Sequence, residues 1–200
     1  MLRYLALGDS YTIGEGVPAD GRWPMQLAAC LRDEGVPLGD PQIIAVTGWT
    51  TDELSAAMDA ATVSPPYDLV SLLIGVNNQY RGRSAEDYRE EFLRLRDRAI
   101  ALAGARPQRL LVLSIPDWGV TSFGHNSGRD VARIAAELDT YNAVARDETR
   151  RAGSHWVDIT PLSRQHPGLL ADDGLHPSAA QYTQWMQQAL PAAQAALASL

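Results

Sequence analysis

The 200 residues contain no lysine: all 17 basic side chains are arginine, set against 24 acidic ones, for a formal net charge of −7. The missing lysine reads as a composition bias rather than a functional signal. An acidic chain with no basic block excludes nucleic acid and anionic membrane as partners. Cysteine is nearly absent too. The single Cys30 rules out an internal disulfide and any multi-cysteine metal site, and between Ala29 and Leu31 in a helical apolar pattern it reads as a buried, inert thiol. Long hydrophobic runs are missing: the longest, Leu69 to Val76, falls far short of the ~18 residues that span a bilayer. At the N-terminus, Arg3 precedes only Tyr4-Leu5-Ala6-Leu7 before Gly8-Asp9, too short for a signal-peptide core. The chain therefore reads as soluble and cytoplasmic, although one relieved of a signal peptide, and so periplasmic or secreted, would look the same. His125, His155 and His166 lack metal-ligand spacing, so neither a metal nor another cofactor is expected.

What is present is ordinary globular material. Apolar residues make up 46% and charged residues 20% of a length that suits a single domain over residues 1–200. Compact apolar runs at Leu2–Leu7, Ile43–Val46, Leu69–Ile74 and Leu110–Ser114 read as strands buried on both faces, and His155–Val157 as a weaker fifth. Between them, helical patterns cover Trp23–Glu34, Thr51–Ala60, Ala85–Ala103, Arg129–Arg151 and Ala179–Leu197, with Ser84 and Asp87 as a capping pair. A glycine-rich loop after Ser10 and a segment from Ile115 to Gly128 read as irregular. Alternating strands and helices predict an α/β fold, a parallel sheet with helices on both faces, whose functional crevice lies beyond the carboxyl ends of the strands.

Several polar motifs fall just there. Gly8-Asp9-Ser10 follows the first strand and puts a serine at a strand-to-helix turn; the plainer reading is a helix cap. Asp173-Gly174-Leu175-His176 precedes the last helix. An aspartate three residues before a histidine, across a glycine turn, can reach the imidazole Nδ1, as activation of a serine hydroxyl requires. Thr47-Gly48-Trp49 follows the second strand and Gly75-Val76-Asn77-Asn78 the third, offering an amide N–H and a carboxamide to a developing oxyanion. Each piece has an ordinary turn reading. Their coincidence along one sheet edge favours chemistry.

This set of motifs resembles the SGNH (GDSL) hydrolases, with Ser10, Gly48, Asn77 and His176 standing where the four marker residues stand, in the same order. The likeness runs from residue 8 to residue 176. It implies a three-layer α/β/α, flavodoxin-like sandwich with a mostly parallel sheet, and an ester-hydrolysing serine enzyme without cofactor. It also implies Ser10 as nucleophile, His176 as base, Asp173 as the carboxylate that orients it, and an oxyanion hole from the Ser10 and Gly48 amides and the Asn77 side chain, with Asp9 and Asn78 supporting from behind. In one respect the sequence departs: the family's third block usually ends Asn-Asp, and Asn78 occupies the aspartate position. Asn78→Asp is therefore expected to keep or raise activity. No Gly-x-Ser-x-Gly motif is present, so the α/β-hydrolase nucleophile elbow is not the template.

Tyr11, Trp49, Tyr80, Trp118 and Phe123 follow strand ends and are candidates to wall an acyl or alcohol pocket, with His125 a candidate substrate contact. Glu15 and Asp117 read as solvated loop carboxylates, Arg81 and Arg83 as solvated arginines with an anionic substrate group as the alternative. The expected partner is a small-molecule ester, short acyl chains favoured. Thioesterase or acyltransferase chemistry on the same triad, a catalytically silent carbohydrate- or lipid-binding module, and a flavodoxin-like phosphate or nucleotide binder remain open readings; the first loop, which carries Asp9 and Glu15 and no lysine, disfavours the last.

Overall fold

The computed structural model describes residues 1–198. Five strands, β1 (Tyr4–Gly8), β2 (Gln42–Ala45), β3 (Leu69–Leu73), β4 (Leu110–Leu113) and β5 (His155–Val157), form an all-parallel sheet in the order β2-β1-β3-β4-β5. The helices are α1 (Ser10–Ile13), α2 (Trp23–Asp33), α3 (Thr51–Ala60), α4 (Val76–Tyr80), α5 (Ala85–Leu102), α6 (Ser122–Asn126), α7 (Val131–Arg151), α8 (Thr160–Gln165) and α9 (Ala179–Leu197). Helices α2 and α9 pack together on one face of the sheet, and α3, α5 and α7 cover the other.

The central strands are buried throughout, as their continuous apolar runs predict. The edges differ from expectation. In β2, Gln42 and Ile43 are half-buried, as are His155 and Trp156 in β5, because an edge strand has a sheet neighbour on one side only. Where the central strands carry polar groups they satisfy them: Tyr4 Oη and Ser71 Oγ, on β1 and β3, lie 2.9 Å apart in the core. Trp23, Trp118 and Trp185 anchor that core, each almost wholly buried.

The chain leaves β1 to build β2 on one side and then crosses to build β3 on the other. The strand order thus reverses at β1, which opens a crevice beyond the carboxyl ends of β1, β2 and β3. Two stretches that read as irregular contain short helices: α1 starts at Ser10 itself, and the Ile115–Gly128 segment holds a 3-10 turn at Trp118–Val120 followed by α6. Short helices of one turn carry too little periodicity to show in sequence. Ser84 caps α5 by accepting from the Asp87 amide, as the sequence predicts. No helix of the described residues is long and apolar enough to cross a membrane.

Candidate active site

Ser10 is the first residue of α1, so its amide has no partner within that helix. The turn that puts it there is tight. A side chain on Gly8 would collide with Thr12 and with the Leu73 carbonyl, so only glycine lets α1 start directly off β1. Asp9 caps α1, its Oδ1 accepting from the Tyr11 amide at 3.0 Å, while Oδ2 is buried without a partner among the described residues. Burial accordingly pushes the Asp9 carboxyl up to about 7, despite the opposing amide hydrogen bond from Tyr11.

Beyond β2, Gly48 adopts φ +88°, a left-handed turn that points the chain back toward the crevice before Thr50 and Glu53 cap α3 with a capping box. Beyond β3, α4 carries Asn77 and Asn78 on different sides. Asn77 is half-buried and donates one Nδ2 hydrogen to the Trp49 carbonyl at 2.9 Å, leaving its second amide hydrogen free of that bond. Asn78 is fully buried and turns inward. Its Oδ1 accepts from the Thr51 amide at 3.1 Å, and its Nδ2 donates to Thr51 Oγ1 at 2.6 Å and to Glu91 Oε2 at 3.3 Å. Glu91 also accepts from the Thr51 hydroxyl and from Arg83. The carboxylate missing at position 78 is thus met by one from α5.

The Asp173–His176 turn folds as the spacing predicts. Asp173 Oδ1 accepts from the amides of Leu175 and His176, both at 2.9 Å, and Oδ2 lies 2.5 Å from His176 Nδ1. Burial works against the Asp173 charge, but the His176 ring and the two amides outweigh it and hold the carboxyl below its ordinary value. With Nδ1 committed to that carboxylate, Nε2 is the acceptor nitrogen of the neutral ring. Tyr11 packs edge-on against the imidazole, with ring centroids 5.8 Å apart, and is itself pinned by Trp185.

Ser10, Gly48, Asn77 and His176, from four separate stretches of chain, line one cavity of about 210 Å³. Its walls are mostly apolar: Tyr11, Val76, Tyr80, Trp118, Phe123 and Leu175, with Thr47 at the mouth. Among the described residues no hydrogen bond joins Ser10 Oγ to His176. Such contacts are often long before substrate binds. A hydroxyl, an imidazole with its other nitrogen on a carboxylate, and a carboxamide around one apolar hollow form a set able to carry out acyl transfer.

The sequence reading needs correction at several positions. Trp49 does not wall the cavity; its ring is half-buried against the core, and its carbonyl is what Asn77 uses. His125 is exposed on α6 and is not among the residues lining the cavity, whereas Phe123 of the same helix is one of them. Asp117 is not solvated. It is buried, caps the 3-10 turn at Gly119, and pairs with Arg164 at 2.9 Å. Arg81 is held by Glu53 and by the Gly48 carbonyl, and Arg83 by Asp52 and Glu91. Glu15 is exposed, as expected, and accepts from Thr47. Cys30 is half-buried, its thiol pushed up by burial and by Glu34 and Asp33.

Sequence reading missed Gln79, which holds Trp118 in place. Trp118 Nε1 donates to Gln79 Oε1 at 2.8 Å, and Gln79 Nε2 donates to Glu137 at 2.7 Å. Neither residue has a sequence signature, since the pairing spans 39 positions.

A family model described as the GDSL-like lipase/acylhydrolase family matches residues 6–184. The chain belongs to this family. No curated protein sequence matches it. Among solved structures, this GDSL-family chain is similar to TesA (TM-score 0.73, 19% identity, 95% of this chain and 97% of that one). It is also similar to Axe2, an acetylxylan esterase from Geobacillus stearothermophilus (TM-score 0.75, 18% identity, 96% and 94%). A third likeness is to the psychrotrophic esterase EstA from Pseudoalteromonas sp., in a structure inhibited by monoethylphosphonate (TM-score 0.71, 15% identity, 96% of each chain). At these identities the likeness is one of fold.

Proposed function

We propose that this GDSL-family hydrolase is a serine esterase for small acyl groups. One observation carries the reading: Ser10, Gly48, Asn77 and His176 meet in a single apolar cavity, with Asp173 on His176 Nδ1. Ser10 Oγ attacks the ester carbonyl carbon as His176 Nε2 takes its proton, and Asp173 keeps the ring in the tautomer that leaves Nε2 free to accept. The negative charge on the carbonyl oxygen falls to the Ser10 and Gly48 amides and to the free Nδ2 hydrogen of Asn77. The C–O bond to the alcohol breaks, the alcohol leaving with the proton from His176. Water, deprotonated by the same nitrogen, attacks the acyl-serine; the acid departs and Ser10 regains its proton. No cofactor takes part.

The cavity size supports a short acyl chain. Sites for drug-sized ligands run from ~300 Å³ upward, and this hollow holds about 210 Å³. An acetyl group, the acyl unit in the name of Axe2, suits it, and Trp118, held by Gln79, is one of its walls. Turnover of p-nitrophenyl acetate, butyrate and octanoate tests both parts. Activity should fall from acetate to octanoate, and Ser10→Ala should lose several orders of magnitude in kcat. Asn77→Ala should lose ~10²–10³-fold in kcat. An Asn77→Ala variant as active as the parent would move the oxyanion role elsewhere.

A further inference from the structure

A second and larger cleft, of about 470 Å³, adjoins the catalytic cavity. Tyr80 belongs to the walls of both, and the Trp118–Gln79 hydrogen bond runs from one to the other. Its charged lining is Arg81, Arg129, Arg133, Asp130 and Glu137. Four of these five are already committed. Arg81 is bound by Glu53 and the Gly48 carbonyl, and Arg133 by Glu137 at 2.7 Å. Glu137 also accepts from Gln79, and Asp130 caps α7 through the amides of Ala132 and Arg133.

Arg129 is the exception. Among the described residues no carboxylate lies within ion-pair distance of it, although its charge reaches Glu137 in the same cleft, in a chain whose net charge is −7. It is nevertheless held in place. Nη1 donates to the Tyr80 carbonyl at 2.9 Å, and the guanidinium lies over the rings of Tyr80 at 4.0 Å and Trp118 at 5.7 Å. The edge formed by Nε and Nη2 has no acceptor among the described residues. A guanidinium fixed on one side with a free two-donor edge on the other matches a carboxylate in geometry as well as charge. With three arginines against two carboxylates around the cleft, a monoanion fits better than a dianion.

We propose that this cleft is a subsite for a carboxylate carried on the alcohol portion of the ester, with Arg129 as its specificity-determining residue. The inference rests on the esterase reading: the acyl group fills the smaller cavity, and the alcohol side passes Tyr80 into the larger cleft. Acidic hydroxy compounds esterified by small acids are the substrate class it names.

The test uses acetyl esters of ω-hydroxycarboxylic acids from two to six carbons, each paired with its neutral carboxamide, so that one spacer length matches the reach from Ser10. The kcat/KM ratio of carboxylate to carboxamide is compared between the parent enzyme and Arg129→Gln, which cancels differences in leaving-group reactivity. At the matching length, Arg129→Gln should lower that ratio about tenfold or more, by loss of a charge-assisted pair. Arg129→Lys, which keeps the charge without the fork, should fall between. An equal loss on both esters, or no change in the ratio at any length, overturns the proposal. If the parent turns over p-nitrophenyl acetate but neither ester of any pair, the proposal is overturned; if it turns over none of them, it is the esterase reading that has failed. The subsite is then decided by equilibrium binding of the ω-acetamidocarboxylates, read by tryptophan fluorescence: weaker binding to Arg129→Gln upholds it, and equal binding overturns it.

Discussion

Asp9, next to Ser10, and Asp173, on His176 Nδ1, are driven in opposite directions. Burial without a partner for Oδ2 pushes the Asp9 carboxyl up to about 7, whereas His176 and two amides, working against burial, hold Asp173 below its ordinary value. The signs have different consequences for stability. In the unfolded chain an aspartate ionises near ~4. As pH rises from there toward 7, folded Asp9 holds a proton that the unfolded chain has released, so its contribution to stability falls over that window. For Asp173 the contribution is present above the unfolded value and is lost as acid takes the pH down through the folded one. Asp9→Asn keeps an Oδ1 to accept from the Tyr11 amide and has no charge to lose. Thermal melts should therefore show Asp9→Asn gaining Tm over the parent at pH 8 and little at pH 5. A gain equal at both pH values would contradict the burial argument.

At the scale of elements, the site depends on where α3, α4 and α5 meet. Asn78 ties them together: its oxygen takes the first amide of α3, and its nitrogen donates to Thr51 and to Glu91 of α5. An aspartate here would still accept from Thr51, but its second oxygen would face Glu91 Oε2 where a donor now stands at 3.3 Å. Arg83, 3.3 Å from the same oxygen, would offset only part of that repulsion. Contrary to what the motif alone implies, Asn78→Asp should destabilise the fold by ~1–3 kcal/mol, the cost of losing a buried donor and opposing two charges. It should also reduce kcat by loosening α4 beneath Asn77. Adding Glu91→Gln should restore much of both, since a carboxamide can donate to the new carboxylate. Denaturant melts and turnover of the single and double variants check this; a fully stable Asn78→Asp would show that Glu91 does not act as described.

Over the whole molecule, what the sequence revealed and what it hid divide by range. The apolar runs Leu69–Ile74 and Leu110–Ser114 and the long helical pattern ending at Leu197 were legible, because periodicity and turn residues are local signals. The Asp173–His176 pair was legible for the same reason, lying within one turn. Glu91 behind Asn78, Arg164 on Asp117, and Gln79 on Trp118 were not, since each pairing joins side chains 13 to 47 positions apart. Trp49 and His125 were misplaced because position after a strand does not give the direction in which a one-turn element aims its side chains. The candidate site is a property of the folded whole: the ends of β1, β2 and β3 and the turn before α9 each bring one residue to the same cavity. Reactivity at Ser10 should therefore exist only in the native state. The most direct measurement is intact mass after treatment with a fluorophosphonate, on the native chain, the denatured chain and Ser10→Ala. One adduct per native chain, with none on the other two, is the predicted result. A folded native chain that takes no label would contradict the serine-esterase account.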